Sequence, residues 1–95
     1  MVIGVGVVVL RLHGNDSLKG KRKIVKKLIA RLQQTFNFSV AEIGANDIYQ
    51  RAEIGFAVVG NDKRTINSKL DKAINFVEDI SIAELIDYNM EIIVI

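Results

Sequence analysis

The chain contains no cysteine, no proline, no tryptophan and a single histidine. Without cysteine there can be no disulfide, no thiol nucleophile and no thiolate zinc site. One histidine excludes the common metal motifs, which need two. No apolar run approaches the ~18 residues required to span a bilayer as a helix. The apolar start also lacks the basic n-region and small-residue cleavage site of a signal peptide. The expected location is therefore cytoplasmic, and the Asn-x-Ser sequons at Asn15 and Asn37 are expected to be chance matches. The absence of proline goes with the absence of any linker or low-complexity tract. At 95 residues, the expectation is a single domain spanning 1–95 with one core.

Hydrophobic residues make up 49% of the chain and charged residues 25%, the balance of a folded soluble domain. The net charge of +2 hides a lopsided distribution. Residues 1–41 carry eight Lys/Arg against one acid, whereas residues 42–95 carry five against ten. Such a dipole can orient a molecule toward a polyanion without making its whole surface basic.

The acid-free stretch is residues 17–36, which hold seven of the thirteen basic side chains. Leu18, Val25, Leu28, Ile29, Leu32 and Phe36 recur there at three- and four-residue steps, predicting an amphipathic helix. Ser17 is its natural N-cap and Asn37 its stop. Lys19, Lys23, Lys26 and Lys27 fall opposite the apolar stripe, with Arg22 and Arg31 on the flanks.

Around this helix the remaining elements follow in order. Residues 2–12 are β-branched and nearly continuous, as in a central strand. Residues 38–43 alternate loosely and read as a more polar strand, followed by a turn at 44–47 and an ordered loop at 48–51. Residues 52–59 are again apolar on both sides. Asp62 opens a second helix at 63–79, with Ile66, Leu70, Ala73, Ile74 and Val77 as its buried stripe. From about Glu84 to Ile95, Asp87, Asn89 and Glu91 alternate with Tyr88, Met90 and Ile92 in a final strand.

The order βαββαβ is that of an α+β, ferredoxin-like sandwich: a four-stranded antiparallel sheet, order 4-1-3-2, with two helices on one face. In that topology strands one and three are central, and these are the two doubly apolar runs. If Gly6, Val8, Leu10 and Leu12 face the helices, Val5, Val7 and Val9 lie on the open face beside Ala57 and Val59. A patch of that kind is larger than monomers usually expose, so a homo-oligomer joined through the Val5, Val7, Val9 face is expected.

Four runs carry a resemblance to a known family. They are Ser17-Leu18-Lys19-Gly20-Lys21-Arg22-Lys23, Phe36 to Glu42, Gln50-Arg51-Ala52, and Val58-Val59-Gly60-Asn61-Asp62. In order and spacing they resemble the bacterial YlxP-like family over almost the whole chain. The resemblance implies a small cytosolic ferredoxin-like protein whose role is not established. Family members are often encoded near translation factors, which implies a ribosome- or RNA-associated role. The family's Ser-Leu-Lys-x-Lys-Arg motif falls on Ser17, Leu18, Lys19, Lys21 and Arg22, and its acidic-aromatic-Gln-Arg loop on Asp47, Tyr49, Gln50 and Arg51. Two positions depart from the pattern. Gly20 replaces a usually acidic residue that would complete a capping box, and Tyr49 replaces a common tryptophan.

Candidate sites follow from charge and residue type. Lys19, Lys21, Arg22, Lys23, Lys26 and Lys27 are the candidate nucleic-acid contacts, with RNA or a ribosomal particle as partner; the alternative is a solvated lysine face. Asp47, Tyr49, Gln50 and Arg51 could form an accessory loop that stacks a base, or a structural anchor in which Arg51 pairs with Asp47 or Glu53. Gly14 to Lys21 has the wrong spacing for a phosphate loop, and Gly4-Val5-Gly6 lies mid-strand. No nucleophile-base pair or metal set can be assembled, so the expectation is a binding module without cofactor or metal, rather than an enzyme. The alternative is a self-associating or small-ligand module built on the open sheet face.

Overall fold

A computed structural model describes residues 1–95. The elements are β1 (Val2–Arg11), α1 (Leu18–Phe36), β2 (Ser39–Gly44), β3 (Arg51–Gly60), α2 (Lys63–Asp79) and β4 (Glu84–Val94). The sheet is antiparallel in the order β2-β3-β1-β4, which is the expected ferredoxin-like arrangement read from its other edge. Helix α2 begins and ends at the anticipated residues, and its buried side chains are the five of the expected stripe.

The doubly apolar strands owe their position to having two paired edges and one packed face. Burial alternates residue by residue along β1, with Val8, Leu10 and Leu12 against the helices and Val5, Val7 and Val9 on the open face. Opposite them in β3, Ile54, Phe56 and Val58 join the core, while Gly55 and Ala57 lie across from Val7 and Val5. Glycine on the helix-facing side of β1 makes room for larger partners. A Cβ on Gly4 would lie 2.6 Å from Cγ2 of Ile66, and one on Gly6 would collide with the Phe56 ring.

At the far end of α1, Asn37 adopts the left-handed conformation (φ 57°) and returns its N–H to the Gln33 carbonyl. This is the local reason the helix stops there, because asparagine tolerates that conformation better than most residues. The reversal places Phe38 in the core, stacked between Phe36 and Phe56 with ring centroids 5.1 Å from each. Phe76 meets the Phe36 ring edge-on at 5.5 Å, joining the two helices.

Candidate nucleic-acid interface

Helix α1 starts as its sequence dictates. The Ser17 hydroxyl accepts the Gly20 N–H at 3.0 Å, and no acid occupies the first turn. Lys19, Arg22, Lys23, Lys26 and Lys27 are all exposed. The molecule's side-chain ion pairs are Lys21–Glu42 and Arg51–Glu53, and the His13 ring meets the Glu84 carboxylate within hydrogen-bond distance. None of them engages those five cations. Arg31 is used differently: its guanidinium sits 5.8 Å from the centre of the Phe76 ring.

Lys21 does not belong with the phosphate contacts expected of it. Its side chain is 1% exposed, the Nζ donates to the Ala45 carbonyl, and Glu42 Oε2 lies 3.1 Å away. The carboxylate contact is ionic rather than an aligned hydrogen bond, since Glu42 Oε2 has no hydrogen-bond partner. The cause is helical spacing. Position 21 follows Leu18 by three and precedes Val25 by four and Leu28 by seven, so it sits on the buried stripe. A lysine there can only be accommodated with a carboxylate and a carbonyl to receive it.

The loop before β3 is tied to the start of this helix. The Asn15 amide donates to the carbonyls of Ser17 (2.9 Å) and Tyr49 (2.6 Å). Gln50 donates to the Asn15 carbonyl at 3.0 Å. Arg51, expected in the loop, instead opens β3 and pairs along that strand with Glu53 at 3.3 Å, so Gln50 is the anchor of the loop. Asp47 and Tyr49 remain exposed. The phenol ring therefore stands at the same end of the molecule as the first cations of α1. Asn15 and Glu42, which organise this end, are not among the candidate site residues; sequence offers only a sequon and a turn for the first and a place in a polar strand for the second.

Elsewhere, His13 Nε2 contacts Glu84 Oε1 at 3.2 Å in the open, beside a shallow cleft of about 580 Å³. Glu78, Ser81, Ile82 and Leu85 complete much of its lining. No three His, Cys, Asp or Glu side chains converge closely enough to hold a metal ion. No helix is long and apolar enough to cross a membrane.

Residues 3–90 match the family described as protein of unknown function DUF503. The chain belongs to that family. The uncharacterized protein YlxP of Bacillus subtilis (strain 168) is 33% identical over 67 residues, covering 70% of this chain and 73% of the relative. The resemblance carried by the Ser17–Lys23 and Gln50–Ala52 runs is thus a true family membership, and the DUF503 description assigns no activity.

Two solved structures share the architecture at low identity. A mutant of SnoaB, a cofactor-independent oxygenase from Streptomyces nogalater, superposes with TM-score 0.52 at 9% identity, covering 98% of this chain and 92% of that one. The structural-genomics protein YJCS gives TM-score 0.51 at 11% identity, covering 94% and 96%. At such identity the likeness concerns the fold alone.

Proposed function

We propose that this protein is a non-enzymatic RNA-binding module that holds phosphates along the exposed face of α1. The observation that carries this reading is the set of five exposed cations, Lys19, Arg22, Lys23, Lys26 and Lys27, none of which has an acidic partner. The arrangement works against the helix itself. Lys19, in the first turn, opposes the macrodipole by ~0.3–1 kcal/mol, and no acid stands there to offset it. A phosphate at the helix start would reverse the sign of this effect. Tyr49, exposed beside the helix start, offers a ring on which an unpaired base can stack. RNA of a ribosomal particle, met in the cytosol, is the partner this reading favours.

The test is salt dependence. For single-stranded RNA contacting five phosphates, log K falls with log[salt] with a slope of about −3.5. Changing Lys23, Lys26 and Lys27 together to Glu is expected to abolish binding while circular dichroism shows the fold retained. Affinity unchanged in that triple variant would sink the proposal. Co-sedimentation with ribosomal subunits from a native lysate, lost in the same variant, tests the particle.

A second reading rests on the open sheet face. Val5, Val7 and Val9 lie there with Ala57 and Ile43, and no helix covers them. Self-association through this face would bury the patch. Sedimentation equilibrium decides it: the wild type is expected to be dimeric at micromolar concentration and Val7→Lys monomeric. A monomeric wild type would end this reading.

A further inference from the structure

We propose a second interaction surface, the outer edge of β4, that takes an extended peptide alternating basic and apolar residues. β4 is eleven residues long and lies at the edge of the sheet, paired only with β1. The phase of its free hydrogen-bonding groups can be derived. Met1 and Ile95 exchange both of their backbone hydrogen bonds, at 2.8 Å each. Hydrogen-bonded and non-hydrogen-bonded pairs alternate along an antiparallel ladder, so Ile93, Glu91, Asn89 and Asp87 also bond to β1. Tyr88, Met90 and Ile92 therefore turn their N–H and C=O groups outward. The Tyr88 N–H confirms the phase, since its acceptor is the neighbouring Asp87 carboxylate at 2.8 Å.

Side chains fix the chemistry of the occupant. Asp87, Asn89 and Glu91 lie on the open face, opposite Val9, Val7 and Val5. Tyr88, Met90 and Ile92 lie on the helix face, opposite Val8, Gly6 and Gly4. An added strand would set every second residue beside Asp87 and Glu91, where lysine or arginine is complementary. The residues between would lie beside Tyr88 and Met90, where apolar side chains fit. At its start β4 also walls a groove of about 240 Å³ lined by Leu85, Ile86 and Tyr88 together with the acids Glu78 and Asp87.

The same charges argue against a second copy as occupant. β4 carries Glu84, Asp87 and Glu91 and no basic residue, so pairing two such edges gathers acids against acids. They equally disfavour RNA, which leaves a basic peptide.

The experiment uses the whole protein and a blocked, fluorescently labelled peptide alternating lysine and valine. Two controls carry glutamate in place of lysine, and the same lysines and valines in two blocks. The alternating peptide is expected to raise anisotropy saturably, and to slow amide hydrogen exchange at Met90 and Ile92. Asp87→Lys combined with Glu91→Lys, both exposed, is expected to weaken binding by roughly tenfold or more with the circular dichroism unchanged. The proposal is overturned if the block peptide binds equally well, or if slowed exchange appears at another surface. Retained affinity in the double variant also overturns it. So does protection of the β4 amides by self-association before any peptide is added.

Discussion

The ammonium of Lys21 and the carboxylate of Glu42 meet at 3.1 Å where α1 passes the end of β2. One partner is buried and the other is 21% exposed, so the pair joins core to surface. Removing the lysine alone strands a carboxylate that water only partly reaches. Lys21→Met is expected to cost about 3 kcal/mol, the lower end for a broken buried pair. Lys21→Met with Glu42→Leu should recover most of that loss. Urea denaturation of the two variants is the check. A single-variant cost below about 1 kcal/mol would mean the pair does not fasten the helix.

Gly6 lies beneath the Phe56 ring, and an added methyl group there has no space to occupy. Phe56 cannot yield freely because Phe38 stacks on it. Gly6→Ala is expected to destabilise the protein by about 1–3 kcal/mol through overpacking, despite alanine's smaller backbone entropy cost. A thermal melt unchanged from wild type would contradict the packing described for β1.

Asp62 caps α2, accepting from the Thr65 hydroxyl at 2.6 Å and the Thr65 N–H at 3.0 Å. These bonds, the hydroxyl's first, hold its carboxyl below the usual carboxylate value. A group with a depressed folded-state value stabilises fully above its unfolded value and loses that contribution as pH falls through the folded one. Asp62→Ala should therefore unfold more readily than wild type at neutral pH. The gap should close in strongly acid solution. Paired urea titrations at the two pH values test this, and a pH-independent gap would be the contrary result.

Tyr49 and the α1 cations should make physically distinct kinds of contact with RNA. Tyr49→Ala is expected to lower single-strand affinity by roughly tenfold, the worth of one stacked base. The salt slope should stay unchanged, because stacking releases no counterion. A slope that shifts with the ring would show that the loop acts through the lysines.

Most of the architecture is legible in the sequence because periodicity reports burial directly. The alternation in β1 and the five-residue stripe of α2 are patterns that only one placement satisfies. Lys21 misleads because residue type outweighs spacing: six cations in a short run look alike, although only position 21 falls on the stripe. The Asn15–Tyr49 tie joins residues 34 apart and has no local signature. The same holds for the phase of the β4 edge, which depends on the hydrogen bonds between Met1 and Ile95.

The neighbours of β1 have a consequence in time. β1 pairs on one side with β3 and on the other with β4, which comes later in the chain than either. During vectorial synthesis, β1 and β3 can meet as soon as Gly60 has emerged, but the second side of β1 must wait for residues 84–94. Until then a β-branched strand with two glycines in its middle presents a bare hydrogen-bonding edge to whatever is nearby. Completion of the sheet is thus a late, long-range closure, and the nascent chain is most open to mispairing in the interval before β4 arrives.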